Sequence, residues 1–284
     1  MKNRIEFDTK TIIKVPKPGQ NGDIVVYGPS PRSVRAARSR INIIVMSSRM
    51  KQRFTHFISI PMNSEEITQN FLSFKEKVLS ECSSKGVEES VFIKPAKLHI
   101  TVGVMCLMDN EERQIAAKLM DDAQKKIIIP LLSDYQPLRV RVRGLDCMND
   151  DPASVHVLYG RVQEENASDG LLQELADKLV QHFYNAGYMK KEFGRVNVKL
   201  HVTLMNSTYR DRASGAMEDD GNPKNTKREP FDASAVLQKF AGYDFGVMNV
   251  TEIHLSQPHM TANDGYYQPT TIVSCKKPNY LLET

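Results

Sequence analysis

Lys97-Leu98-His99-Ile100-Thr101-Val102 and Lys199-Leu200-His201-Val202-Thr203-Leu204 are one six-residue pattern, Lys-Leu-His-aliphatic-Thr-aliphatic, written twice about a hundred residues apart. Both sit in strand-like alternation. Leu98, Ile100, Val102 and Val104 fall on one face of the first; Val196, Val198, Leu200, Val202 and Leu204 do so in the second. The opposite faces carry Lys97, His99 and Thr101, and Asn197, Lys199, His201 and Thr203. Side chains two apart along a strand share a face at roughly 6.5 Å. Each segment is therefore expected to bury its aliphatic face and to present a histidine beside a threonine on the other.

That pairing has a chemistry. Histidine titrates near neutrality, so one imidazole can accept a proton while a second donates one. Cleavage of a phosphodiester needs both events, because the nucleophile must lose a proton and the leaving oxygen must gain one. Threonine hydroxyls can hydrogen-bond non-bridging phosphate oxygens and hold the phosphorus between the two imidazoles. One His-x-Thr on a strand is commonly structural. The same pattern twice, on two amphipathic strands, points to His99 and His201 as catalytic candidates and to Thr101 and Thr203 as phosphate-binding candidates. Lys97 and Lys199, on the same faces, are candidate contacts to nucleic acid.

Around these strands the chain alternates between two periods. Strands are expected at 55–60, 98–107, 138–145, 155–162, 196–205, 247–255 and 270–275. A helix follows Asn63, with Glu66 at capping-box spacing, the stripe Ile67, Phe71, Phe74, Val78, Cys82, and Gly86 as its stop. Another opens near Asp109 with Ile115, Leu119, Ala123 and Ile127 on one face. Further helices are expected at 171–184 and 235–240. The polar stretch 207–230 has almost no aliphatic side chains and is expected to be a mobile loop.

The first 53 residues read differently. Short strands at 12–15 and 24–28 flank the turn-rich 16–22. Ser30 and Pro31 then open a helix whose stripe is Val34, Ala37, Ile41 and Ile44, leaving Arg32, Arg35 and Arg38 off it. Residues 1–55 hold 12 Lys+Arg against 3 Asp+Glu, a net of +9, whereas the whole chain is +4 and the remainder therefore −5. A basic segment on a mildly acidic body suggests an anionic partner, nucleic acid being the commonest. Arg32, Arg35 and Arg38 are its candidate contacts; a solvated basic face is the alternative.

The two His-x-Thr segments resemble the signature motifs of the two-histidine phosphoesterase superfamily, His-x-(Thr/Ser)-x with x usually hydrophobic, and most closely its kinase-anchoring-protein-like branch. The resemblance covers about residues 54–284. It implies an α+β, bilobal fold of two antiparallel-sheet lobes with outer helices and a groove between. It also implies a metal-independent phosphodiesterase or cyclic-phosphate-processing activity on RNA, without cofactor. Arg4-Ile5-Glu6, Thr9, Ile12-Ile13-Lys14-Val15-Pro16-Lys17-Pro18, Ile24-Val25-Val26-Tyr27-Gly28 and the arginine-rich helix resemble the second half of a KH domain. Residues 1–53 are therefore expected to be a partial KH-like α/β module lacking the Gly-x-x-Gly loop that clamps nucleic-acid backbone. The combination implies a nuclear protein, with single-stranded RNA and a helicase-containing coactivator complex of transcription and alkylation repair as partners, and no membrane. A non-catalytic RNA or nucleotide binding adaptor of that complex is the alternative. Where some members of the superfamily carry a Lys or Arg shortly after the second motif, this chain has Asn206, and its next basic residue is Arg210.

The other candidates are weaker. Cys82, Cys106, Cys147 and Cys275 have no paired spacing, which argues against a zinc site. No apolar run approaches the roughly 18 residues needed to span a bilayer. His254 and His56 lie on expected strands but lack a threonine two residues on, so both read as structural. Tyr159 and Tyr209 are candidate base-stacking platforms.

Overall fold

A computed structural model describes residues 1–17, 22–49, 51–167, 170–189, 198–213 and 228–276, with the backbone alone at 211–213. The chain divides into two compact units, Met1–Arg53 and Phe54–Thr284.

The first unit runs α1 (Lys2–Thr9), β1 (Ile12–Lys14), β2 (Val25–Tyr27), α2 (Pro31–Arg49). The two strands form an antiparallel ladder with Ile13 opposite Val26. Ser30 caps α2, its hydroxyl accepting from the Ser33 backbone N–H at 3.2 Å. The expected stripe packs inward: Ala37 joins Ile5 and Ile13 in a small core, with Ile41, Ile44 and Val26 against it. Sequence periodicity gave no sign of α1, whose two apolar side chains, Ile5 and Phe7, form no stripe; Ile5 and Thr9 are its buried residues and Phe7 is exposed. The turn expected at 16–22 falls partly on 18–21, outside the described residues.

The second unit is one eight-stranded antiparallel sheet with helices on it. Its elements are β3 (His56–Pro61), α3 (Glu65–Glu81), β4 (His99–Met105), α4 (Asn110–Ala123), α5 (Ile129–Leu132), β5 (Leu138–Cys147), β6 (Val157–Glu164), α6 (Leu171–Asn185), β7 (Val202–Asn206), α7 (Thr208–Ala213), α8 (Ser234–Phe240), β8 (Asp244–Val250), β9 (Glu252–Thr261) and β10 (Tyr267–Ser274). The strand order is β10-β9-β3-β4-β7-β6-β5-β8. Four strands therefore lie on either side of the junction where β4 meets β7, and the two histidine strands are the innermost pair. Leu98, Ile100, Val102, Val202 and Leu204 are all buried in the main core, the aliphatic face the alternation requires. Packing against the sheet, α3 lies on β8, α4 on β10 and α6 on β4. Among the described residues no helix is long and apolar enough to cross a membrane.

Several expectations are corrected. The cap of α3 is Ser64, which accepts from Ile67 N at 3.3 Å, while the Asn63 amide reaches the carbonyl of Ala96 and Glu66 accepts from Val247 N. The helix ends at Cys82, short of Gly86. The buried face of α4 is Ala116, Met120 and Ala123, with Leu119 and Ile127 packed on the core at its margin and Ile115 turned out. A π-helical turn, Gln124–Ile128, follows, which rotates the face so that Ile128 is buried. On β4 the register slips by one residue between Gly103 and Thr101, so Val102 and Met105 point inward and Val104 outward. The strand 196–205 contracts to Val202–Asn206; residues 196 and 197 lie outside the described ones. The single strand expected at 247–255 is two, broken at Thr251, whose carbonyl accepts from Cys275 N. Their destinations are opposite edges of the sheet, β8 at one end and β9 next to the other. The stretch 207–230 contains α7, and its part at 214–227 lies outside the described residues.

Candidate active site

Ile100 of β4 is paired with Val202 of β7 in antiparallel register. Extended by one residue to either side, that pairing sets His99 against Thr203 and Thr101 against His201, which stands immediately before the first residue of β7. Directly opposed residues share a face, so the four side chains occupy the corners of one patch. The two histidines sit on its diagonal, roughly 7–8 Å apart by strand geometry. All four are half-buried. The row continues outward, with Tyr159 of β6 opposite Thr203 and Ser59 of β3 opposite Thr101.

The imidazoles are held alike. His99 Nδ1 lies 2.7 Å from the carbonyl oxygen of Lys97, and His201 Nδ1 lies 2.6 Å from that of Lys199. A carbonyl only accepts, so each Nδ1 carries the proton and donates it. Each neutral ring is thereby fixed in the tautomer that leaves Nε2 as a base. His99 Nε2 accepts from the Thr101 hydroxyl at 3.0 Å. Burial holds His99 down to about 4, with the nearby His201 and Lys97 adding to the effect and the Lys97 carbonyl opposing it. Burial, assisted by Lys199, also lowers His201.

Aromatic rings complete the surroundings. Tyr267 of β10 stands edge-on to His99 at 5.2 Å between centroids, and Phe57 of β3 is 5.3 Å away. Tyr159 stands edge-on to His201 at 5.3 Å. Lys97 Nζ sits over the Tyr267 ring at 4.6 Å and Lys199 Nζ over the Tyr159 ring at 4.9 Å. The Tyr159 hydroxyl also hydrogen-bonds Asp146, which pairs with Arg161.

The structure thus brings His99, Thr101, His201, Thr203, Lys97 and Lys199 together. Arg32, Arg35 and Arg38 are exposed on α2 of the other unit. Tyr159 is only 4% exposed, so it cannot stack a base, and Tyr209 packs on the core. Tyr267, Phe57 and Asp146 escaped the sequence reading. Tyr267 follows the turn Asp264-Gly265 and bears no motif; only the curl of the sheet brings β10 over β4. Asn206 accepts from Arg228, and Arg210 is tied to Glu88 and the Gly86 carbonyl, so neither extends the histidine patch. His56 and His254 are hydrogen-bonded to Thr55 and Glu252, and His56 Nε2 and His254 Nδ1 are buried without a hydrogen-bond partner. Among the described residues no cluster of three or more His, Cys, Asp or Glu could hold a metal ion.

Two bases with fixed tautomers, flanking two hydroxyls and reached by two lysines, can exchange protons on both sides of a small anion. Residues 54–275 match the family described as the AKAP7 2′5′ RNA ligase-like domain. The chain is 37% identical to mouse activating signal cointegrator 1 complex subunit 1 over 272 residues, covering 94% of this chain and 75% of that protein. Among solved structures, TT0787 of Thermus thermophilus aligns with a TM-score of 0.47 at 17% identity, over 78% of this chain and 97% of the other. E. coli LigT complexed with NADP+ aligns with a TM-score of 0.44 at 16% identity, over 79% and 98%.

Proposed function

The chain belongs to the AKAP7 2′5′ RNA ligase-like domain family of two-histidine phosphoesterases, and from that premise we propose that it is a metal-independent RNA phosphodiesterase or cyclic-phosphate-processing enzyme. The observation that carries the reading is the patch itself: two histidines on a diagonal, both with Nδ1 committed to a carbonyl and Nε2 left for chemistry. In this reading one Nε2 removes the proton from the attacking oxygen, a ribose hydroxyl or water. The new P–O bond forms as the old one breaks, and the other imidazolium gives its proton to the departing oxygen. Thr101 and Thr203 hold the non-bridging oxygens between them. Proton transfer by two side chains is sufficient for this displacement, so the reading asks for no metal.

We further propose a nuclear location and membership of the helicase-containing activating signal cointegrator complex, on the strength of the 37% identity to a subunit of that name. Single-stranded RNA is the expected partner, with the basic first unit contributing affinity. Its two short strands and the Ser30-capped helix are compatible with a partial KH-like module.

The test is a screen of 2′,3′-cyclic, 2′,5′-linked and 3′,5′-linked oligonucleotides in EDTA. Turnover is expected in at least one, and His99→Ala or His201→Ala is expected to remove nearly all of it, general acid–base catalysis being worth about 10²–10⁴-fold per group. The double variant should be little worse than either single, because the two act as a unit. Binding without product across the whole screen would replace the enzyme by a non-catalytic adaptor.

A further inference from the structure

The motif lysines do something that neither proton transfer nor phosphate contact requires. Lys97 meets His99 at both of its ends. Its carbonyl accepts the imidazole Nδ1–H at 2.7 Å, and its ammonium lies 4.6 Å over the ring of Tyr267, whose edge stands against that same imidazole at 5.2 Å. Lys199 repeats this just before β7: carbonyl to His201 Nδ1 at 2.6 Å, ammonium over Tyr159 at 4.9 Å, Tyr159 against His201 at 5.3 Å. The two tyrosines are not counterparts in the fold. Tyr159 comes from β6, beside β7, whereas Tyr267 comes from β10, three strands away from β4. A structural repeat alone would not deliver the same triangle from non-equivalent strands.

We propose that each Lys–Tyr pair is a positioning clamp for its histidine, Lys97–Tyr267 for His99 and Lys199–Tyr159 for His201, closing a ring of three contacts that fixes where Nε2 points. The inference rests on the histidines being the working pair of the proposed reaction, but the clamp itself can be read without turnover. The tyrosine edge sets the plane of the imidazole, and the carbonyl sets its rotation. A cation on the aromatic face holds the tyrosine in place, an interaction worth more as the site is desolvated. The same cation opposes protonation of the imidazole it clamps.

The clamps differ in their further ties. On the first side Lys97 also donates to the Thr261 hydroxyl at 2.9 Å, Phe57 packs on both Tyr267 and His99, and His201 is the other charge His99 faces. On the second, Tyr159 is tied to Asp146, itself paired with Arg161, and the Lys199 charge also reaches Cys147. Lys97 is half-buried and Lys199 exposed.

Ring-proton NMR titration of His99 and His201 in the full chain tests this with no substrate. Lys97→Met keeps the length of the side chain and removes its charge. It should raise the midpoint of His99 by roughly 0.3–1 pH unit, the effect of one nearby, partly screened charge, and leave His201 in place; Lys199→Met should do the converse. Tyr267→Leu and Tyr159→Leu should each shift the titration of its own histidine, and where turnover is measurable should lower kcat several-fold more than they raise KM. Tyr267→Phe should restore wild-type behaviour, since the ring and the cation on it remain, whereas Tyr159→Phe also removes a hydroxyl bonded to Lys199 and Asp146 and should restore it only in part. If the lysine variants weaken RNA binding while both histidines titrate as in wild type, the lysines are substrate contacts and the clamp is overturned. Equal shifts of both histidines in every variant overturn it too. A wild-type protein that shows the site-specific shifts but no turnover keeps the clamp and refutes the enzyme.

Discussion

Thr101 and Thr203 sit where two explanations of a strand threonine part. In the free protein the Thr101 hydroxyl donates to His99 Nε2 at 3.0 Å, so a phosphate entering the patch would compete for both groups. A hydroxyl bonded to a charged oxygen contributes on the order of 1.5–3 kcal/mol. Thr101→Val and Thr203→Val keep the β-branched shape and remove the donor. Each is expected to lower kcat/KM by roughly tenfold to a hundredfold with thermal stability nearly unchanged. If both variants kept wild-type turnover and phosphate affinity, the anion would bind elsewhere. The histidines carry a second expectation. The pH profile of kcat/KM reports the acid and the base of the free enzyme. His99 is depressed to about 4 and His201 is also below its ordinary value, both chiefly through burial. A lowered value means that the protonated form needed by the acid step is lost at lower pH. Both limbs therefore move to the acid side, and kcat/KM should peak below about 6.5, the ordinary histidine value, and fall toward neutrality. Measured between pH 4 and 8 at constant ionic strength, a maximum above 7.5 would contradict this.

The junction of β4 with β7 depends on strands that must curl, and β8 at the sheet edge shows how tightly the supporting elements are fitted. Gly246 has a φ of +106°, a conformation that side chains bearing a Cβ rarely adopt. A Cβ there would lie 2.5 Å from the Glu66 carboxyl carbon, and Glu66 is itself engaged with Val247 N. Gly246→Ala is expected to cost about 1–3 kcal/mol and to lower Tm by roughly 2–10 °C, with the histidine patch intact. An unchanged melting curve would show that β8 relaxes freely. The strands themselves were largely legible, because alternation at 98–102 and 138–142 has one meaning for a half-buried ladder. Boundaries were less so. The break at Thr251, the slip at Val102 and the cap at Ser64 rather than Asn63 depend on which neighbour takes each backbone group, and no local pattern states that.

The division at Arg53 separates a strongly basic unit from the acidic one that holds the patch. Arg32, Arg35 and Arg38 are exposed on α2, while the opposite stripe of that helix fills its small core. Replacing all three with Ala is expected to weaken binding of a long single-stranded RNA and to reduce its salt slope by roughly 0.7 for each phosphate that is no longer neutralised. Cleavage of a dinucleotide should not change, because a substrate that short needs only the His99–His201 patch. An unaltered salt slope would make the arginines a solvated face.

The sequence by itself determined the repeated His-x-Thr pattern, the aliphatic face of each as far as Val102 and Leu204, the family and the inward stripe of α2. Each of these follows from periodicity or from a motif contained within a few consecutive residues. Only the tertiary structure decided that β4 and β7 are neighbours in the register that sets histidine opposite threonine. It alone decided that Tyr267 reaches His99 from β10, and that residues 244–261 divide between the two ends of the sheet. Those facts arise from pairings between segments up to about two hundred residues apart, made by backbone hydrogen bonds that every residue type can supply, so side-chain pattern carries no record of them.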